Sequence, residues 1–210
     1  MARGPVVNQA PAIQPSTKHL RSILRLNQKP RISMQLIIQL PPHAEQLELN
    51  RRRWSEILTD SSLADLPFRI ETNAYGELVM NPPPSGSHSN RQGRITILLD
   101  RHLSNHTLPE CPISTIDGVK AADVGWYSAE RFARVEGQNA FEIAPEICVE
   151  ILSPSNTTAE MRHKRHLYFE AGAEEVWQCD QSGQLAFYMS NTPDAPDGNS
   201  TRCPNFPNSI

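Results

Sequence analysis

The heptapeptide from Glu146 to Leu152, Glu-Ile-Cys-Val-Glu-Ile-Leu, constrains the fold more than any other part of the chain. Side chains alternate between the two faces of a strand, and here both faces are largely apolar, so the segment is predicted to be an interior strand covered on both sides. Glu146, beside Pro145 at the start of the strand, is expected to reach water. A carboxylate farther along is costly unless it meets a cation or a metal ion, so Glu150 needs a partner.

The residues after this strand predict a helix and then a second strand. Thr157-x-x-Glu160 is a capping-box pattern, in which a threonine side chain and a glutamate side chain satisfy the first free backbone amides of a helix. This helix is expected to run to Ala171, and the segment from Val176 to Cys179 is predicted to be the next strand. A strand, a helix and a strand in this order favour an α/β fold.

The same patterns along the rest of the chain complete the prediction: an α/β fold with a central mixed sheet flanked by helices. The predicted helices are 44–58 and 91–103, and the other predicted strands are 68–72, 77–80, 119–126 and 185–189. The expected organisation is a disordered basic tail (1–43), a helical lead-in (44–65), the main domain (66–190) and a C-terminal tail (191–210).

Asp123 and Lys164 are the groups expected to meet Glu150. Asp123 lies in the predicted strand 119–126 among small neighbours that leave room for an ion, and pairing with the Glu150 strand would bring both carboxylates into one cleft. Lys164 lies on or beside the apolar face of the helix that docks on the sheet, where it could position water or stabilise a transition state. A structural ion pair is the alternative interpretation of such a cluster.

Several neighbouring residues are expected to have structural or solvated roles. Tyr168 and Trp177 are predicted to be core residues. Arg162 and Arg165 are predicted to be solvated, and Glu174 and Glu175 are predicted to lie in a solvated turn with one structural contact.

Charge and cysteine usage limit the classes of function. The net charge is −3, and residues 1–44 hold six basic residues and no acid, so the remainder carries −9. An acidic body is unusual for a nucleic-acid enzyme. No apolar run is long enough to span a membrane, and the four cysteines are too scattered for a zinc site or a disulfide framework, which predicts a cytoplasmic protein with reduced thiols.

The segment from Pro145 to Ser155, followed by Lys164-x-x-x-Tyr168 and by Ala171-Gly172-Ala-x-Glu175-Val-Trp177, resembles the Uma-two family of the PD-(D/E)XK nuclease superfamily. Arg69-Ile-Glu71 with Gly76-Glu77-Leu78 resembles the opening hairpin of that family, and Val119 to Val124 resembles its strand with the metal-binding aspartate. The resemblance covers roughly residues 66–190. In the usual superfamily motif a lysine lies two residues after the acid, where this chain has Leu152, so the family lysine corresponds to Lys164.

The resemblance implies a restriction-endonuclease-like core and a metal-dependent endonuclease that hydrolyses DNA. Asp123, Glu150 and Lys164 would be catalytic, with Mg²⁺ or Mn²⁺ held by Asp123 and Glu150 and with Glu71 as a further ligand. His88 matches a recurrent histidine and would contact substrate, with capping or structural hydrogen bonding as its alternative. Analogy with the superfamily also suggests a homodimer or higher homo-oligomer. The competing hypothesis is a catalytically degenerate nuclease fold used for nucleic-acid binding or assembly.

Overall fold

The computed structural model describes residues 42–210. The expected basic tail, apart from its last two residues, lies outside them. The helices are α1 (His43–Thr59), α2 (Gly86–Leu103), α3 (Ala129–Phe132) and α4 (Thr158–Glu170). The strands are β1 (Arg69–Thr72), β2 (Leu78–Asn81), β3 (His106–Thr115), β4 (Gly118–Tyr127), β5 (Ile147–Ile151), β6 (Glu175–Cys179), β7 (Leu185–Met189) and β8 (Thr192–Asp197).

A six-stranded mixed sheet organises the described residues, in the order β3-β4-β5-β6-β7-β8. Neighbouring strands are antiparallel except β5 and β6, which are parallel and are connected through α4. β1 and β2 form a separate antiparallel hairpin. The predicted α/β fold with a central mixed sheet flanked by helices is therefore confirmed.

β5 is buried along its whole length, as its sequence predicts. Ile147, Val149 and Ile151 pack in one core cluster with α2, whereas Cys148 packs with Tyr168 of α4 in a second cluster. The capping box of α4 forms, with the Thr157 side chain accepting from the Glu160 amide, so this helix begins where its sequence predicts. The strand is thus covered on both faces, and any polar group on it lies away from bulk water.

Two strands were not predicted, and both carry residues that disfavour strands. β3 contains Pro109 and Pro112 and lies at one edge of the sheet, where missing amide donors are tolerated. β8 contains Pro193 and Pro196 and lies at the other edge. Residues 191–210, expected as a tail, therefore contain a strand, and their Cys203 and Phe206 belong to the core.

The sequence expectations also concern the state of the cysteines and the apolar length of the helices. All four cysteines are free and buried. No helix in residues 42–210 is long and apolar enough to cross a membrane.

Candidate active site

Lys164 joins two acidic residues that are far apart in the sequence. Its Nζ lies 3.0 Å from Glu150 Oε1 and 2.9 Å from Glu71 Oε1. The same nitrogen donates a 3.2 Å hydrogen bond to the Ala121 carbonyl oxygen. These three contacts use the three donors of the ammonium group, so the Lys164 side chain of α4 is held by β1, β4 and β5 together.

Glu150 is held from one side and open on the other. Its Oε1 accepts a 2.6 Å hydrogen bond from the Tyr168 hydroxyl as well as the contact from Lys164. Tyr168 is fully buried, as predicted for a core residue, but its hydroxyl has a polar role that the sequence did not indicate. Among the described residues, Oε2 has no hydrogen-bond partner and is not a fully buried atom. It therefore faces a cavity that Glu150 helps to line.

The environment changes the proton affinity of both groups. Burial raises the pKa of Glu150 to about 7, although the charge of Lys164 opposes that shift. Burial also acts against the charge of Lys164, but the Glu150, Glu71 and Asp123 carboxylates outweigh it and raise the lysine pKa above its ordinary value. At neutral pH Lys164 is therefore a fixed cation, and Glu150 is close to the midpoint of its titration.

Asp123 lies beside Glu150 through the register of β4 and β5. Val124 pairs with Val149, and continuing this register by one residue sets Asp123 opposite Glu150. Asp123 Oδ2 instead accepts the Ile151 amide at 2.6 Å, which ties the two strands together where their backbone pairing ends. The predicted meeting of the two carboxylates at one end of paired strands is found.

Arg69 and His88 cover the oxygens of Asp123. Arg69 Nη1 lies 2.8 Å from Oδ1, and His88 Nε2 lies 3.2 Å from Oδ2. Burial would raise the pKa of Asp123, but the His88 hydrogen bond, the Arg69 charge and the Ile151 amide bring it below its ordinary value. The hydrogen bond with Asp123 likewise raises the pKa of His88. Asp123 is therefore ionised and already paired.

Arg69 is a site residue that the sequence reasoning missed. It lies two residues before Glu71 in β1, and alternation therefore directs both side chains to the same side of the hairpin. Its Nε lies 2.7 Å from Glu110 Oε2, which anchors the guanidinium against Asp123. Glu110 has a left-handed backbone, with φ 52°, next to the pairing of Pro109 with Val124. The spacing with Glu71 was the available signal, but a partner in β4 cannot be read from it.

His88 is the first buried residue of α2, and it is followed by Ile95 and Leu99 on the same face. Its Nε2 contacts Asp123, while its Nδ1 is buried and has no hydrogen-bond partner within residues 42–210. The Ser85 side chain caps this helix by accepting from the His88 amide. His88 therefore lies in the site through the Asp123 carboxylate, and contact with a substrate stays a prediction.

A cavity of about 750 Å³ opens in front of these groups. Its lining includes all five residues singled out from the sequence, namely Glu71, His88, Asp123, Glu150 and Lys164. The small neighbours of Asp123 do not provide this room, because the space beside Gly125 is filled by Cys111 and Pro145, both within 2.9 Å of where a Cβ would lie. The lining comes instead from the β1–β2 hairpin, the middle of β4, the end of β5 with the loop after it, and the helices α2 and α4.

A divalent cation at this site would need suitable ligand side chains. No group of three or more His, Cys, Asp or Glu side chains in residues 42–210 is arranged to hold a metal ion. Mg²⁺, however, keeps several waters and binds through one or two carboxylates together with substrate phosphate. Asp123 and Glu150 line one cavity, but both oxygens of Asp123 are paired, with Arg69, His88 and the Ile151 amide. Among the described residues, Glu150 Oε2 is therefore the carboxylate oxygen of this pair that is open to a cation.

A family model and a solved structure are similar to this chain. A family model named Uma2, described as "Putative restriction endonuclease", matches residues 61–201. A crystal structure of "a putative nuclease belonging to DUF820" from Anabaena variabilis matches with a TM-score of 0.58 and 20% identity, over 74% of this chain and 93% of that chain. Among curated proteins, no match was found. At that identity the solved structure shows the fold, and the family model carries the relationship.

Proposed function

The chain belongs to the Uma2 family of putative restriction endonucleases, and we propose that it is a divalent-metal-dependent endonuclease that hydrolyses phosphodiester bonds of DNA. The observation that carries this proposal is Lys164 Nζ, which lies 3.0 Å from Glu150 and 2.9 Å from Glu71 at the mouth of a cavity that Asp123 also lines. An ion pair with a purely structural role does not need such an opening, because its two charges can also pair in a closed core that has no cavity.

In this proposal Asp123 and Glu150 would hold Mg²⁺ or Mn²⁺, with Glu71 as a further acidic group that pairs with Lys164. The bound ion would lower the pKa of a coordinated water and neutralise charge on the phosphate. Because Arg69 and His88 cover the Asp123 oxygens, Arg69 would have to withdraw from Asp123 for this carboxylate to hold the ion, and its guanidinium would then be free for phosphate. Hydrolysis adds water across one P–O ester bond and leaves a phosphomonoester and a hydroxyl group.

Lys164 acts as a charge rather than as a base. Its raised pKa keeps it protonated at neutral pH, so it cannot take a proton from water. Its role is to keep Glu150 ionised in spite of burial and to offset negative charge in the transition state. Tyr168 holds the same Glu150 oxygen and thereby fixes the direction of the open oxygen.

A second candidate function has one observation in its favour. Both Asp123 oxygens are already engaged, by Arg69, by His88 and by the Ile151 amide. A nuclease fold that has lost its metal would hold its aspartate in this manner and would serve in nucleic-acid binding or assembly. Metal titration separates the two functions, because only the enzyme requires a divalent site that includes Glu150.

The test is cleavage of supercoiled plasmid, with labelled single-stranded DNA and RNA as parallel substrates, in Mg²⁺, Mn²⁺ or EDTA. Wild-type protein is expected to nick or cut DNA only with the divalent ion, and Glu150→Ala is expected to abolish cutting. Glu136→Ala, which removes an exposed glutamate, is the matched control for contaminating nucleases. Undiminished cutting by Glu150→Ala would remove the proposed mechanism, and an inactive wild type that binds DNA would favour the second function.

A further inference from the structure

A second cavity, of about 790 Å³, lies beside the first. Both cavities are lined by the loop after β5, by α4 and by the turn between β6 and β7, through Leu152, Ser153, Pro154, Asn156, Met161 and Gln181. The second cavity continues along the outer face of α4 toward β8. A strand whose phosphate lay at Glu150 would therefore have a continuous path over this loop.

Two arginines of α4 line the second cavity together with two aspartates, Asp180 and Asp194. Arg162 donates to both oxygens of Asp194, at 2.9 Å and 3.2 Å. Arg165 Nη2 approaches the same carboxylate at 3.4 Å, and His166 Nε2 lies 3.1 Å from it. One carboxylate thus faces two permanent cations and a histidine. The other acidic residue in the lining, Asp180, is engaged in its own turn with Ser182 and Gln184.

Arg165 is a buried cation with too few acceptors. Its side chain is only 7% exposed, although the sequence predicted a solvated position, because β8 covers this side of α4. The guanidinium carbon lies 3.8 Å from the centre of the Tyr188 ring. Its Nε is buried without a partner, and its one hydrogen bond within residues 42–210 is the long contact with Asp194. A buried guanidinium with unused donors is costly unless an acceptor enters the cavity.

The ligand that meets these requirements is a phosphate group. Phosphate accepts paired hydrogen bonds from arginine, and the α4 N-terminus, which forms another wall of the cavity at Thr157 and Thr158, favours negative charge. A carboxylate already present, Asp194, is half exposed and lies on an edge strand, so it can yield its place.

We infer that the second cavity binds a backbone phosphate of the nucleic-acid strand that flanks the bond cut at Glu150. Arg162 and Arg165 supply the contacts, and Asp194 occupies them when no strand is bound. This inference rests on the proposed function for the identity of its ligand, but its contacts do not involve the catalytic groups.

The test measures the affinity of the full-length protein for a labelled DNA duplex by fluorescence anisotropy in EDTA, where no cutting occurs. Arg162→Gln is expected to weaken binding by about fivefold and to lower the slope of log K against log salt by about one. Arg51→Gln is the matched control, because Arg51 is also a helical arginine with a 60% exposed side chain, against 61% for Arg162, and it also pairs with carboxylates. It is expected to leave the affinity unchanged.

Asp194→Asn is expected to change the affinity for DNA in the opposite direction. Removing the competing carboxylate is expected to tighten DNA binding by a few-fold, whereas loss of a merely structural ion pair would not tighten it. Thermal melting of each variant confirms that it is folded. Because these two substitutions are at exposed positions, the inference does not depend on a buried Arg165 variant that fails to fold.

The outcomes separate this inference from the proposed function. Wild type that cuts DNA, with equal binding by Arg162→Gln and Arg51→Gln, overturns the phosphate subsite and leaves the nuclease proposal standing. Wild type that does not cut, but loses affinity with Arg162→Gln and gains it with Asp194→Asn, supports the subsite and overturns the nuclease proposal. Absence of any DNA binding by wild type overturns the subsite.

Discussion

Two buried glutamates on neighbouring parallel strands, Glu150 of β5 and Glu175 of β6, have opposite environments. Glu175 is 1% exposed and accepts from five neutral donors, which are the side chains of Trp177, Ser200 and Thr201 and the amides of Thr201 and Arg202. Glu150 has one hydroxyl donor and one cation on one oxygen, and its other oxygen faces a cavity.

This difference distinguishes a carboxylate with a structural role from the carboxylate that we propose to be reactive. The acceptors of Glu175 are fully used, and they fasten the segment after β8 to the sheet. Glu150 keeps an unused acceptor and a proton affinity shifted into the neutral range, which is where acid–base and metal chemistry is controlled. Burial alone therefore does not identify a reactive acid, whereas unfilled hydrogen-bonding capacity at a cavity does.

The largest expected effect separates the two glutamates by activity. Glu150→Gln removes a proposed metal ligand, so DNA cleavage is expected to fall by more than about 10³-fold. Stability is expected to change little, because the amide avoids the cost of a buried charge. Plasmid cleavage and thermal melting are measured on the same preparation, and a variant that melts with wild type yet cuts at more than a tenth of its rate would contradict this assignment.

The complementary substitution should affect stability. Glu175→Gln places an amide NH₂ group against donors that need an acceptor, so unfolding in urea is expected to require about 4 kcal/mol less free energy. Cleavage per folded molecule should stay near wild type at low temperature. If this variant kept its stability and lost activity, the division between the two glutamates would be wrong.

The pH dependence of stability sharpens the comparison. Because folding raises the pKa of Glu150 from 4.5 to about 7, the unfolded chain loses this proton first as the pH rises. Stability from Glu150 is therefore full below about pH 4.5 and is lost as the pH rises to about 7, by up to about 3 kcal/mol. In Glu150→Gln this share of the slope should disappear. Urea unfolding at several pH values measures it, and an identical slope in both proteins would contradict the shifted pKa.

The smallest effect concerns the cation. Lys164→Met removes the charge that favours ionised Glu150, so the pKa of Glu150 is expected to rise further and Mn²⁺ affinity at pH 7 to fall by about tenfold. Raising the pH should restore part of that affinity, which loss of a purely structural lysine would not allow. Isothermal titration with Mn²⁺ at pH 7 and pH 8.5 provides the measurement, with Lys120→Met as a control at another buried lysine.

Local patterns predicted most of the fold because they are written in neighbouring residues. The burial of β5, the capping box at Thr157 and the antiparallel hairpin of β1 and β2 all follow from spacing within a few positions. β3 and β8 were missed because their prolines argue against strands, and edge positions tolerate them. The packing of the chain end was missed because its acceptor, Glu175, lies some 25 residues earlier.

The candidate site could be predicted where burial of a charged residue has a high free-energy cost. Glu150 lies on an apolar strand and therefore needs a partner. The helical spacing of the segment after it, together with the family resemblance, predicted that this partner is Lys164. Glu146 was expected to reach water and Glu175 to lie in a solvated turn with one structural contact. Both are buried, at 2% and 1% exposure, because Ser128 and the residues after β8 supply donors that local sequence does not show. Arg69 was missed for the same reason, since its partner Asp123 is 54 residues away.

The most direct test of the account is a crystal structure of the protein soaked in Mn²⁺, with anomalous diffraction to locate the ion. The account predicts an anomalous peak in contact with both the Asp123 and the Glu150 carboxylates, with the Arg69 guanidinium withdrawn from Asp123 and Lys164 still beside Glu150. A saturated crystal with no peak at these carboxylates, and with Arg69 still paired to Asp123, would contradict a metal-dependent site.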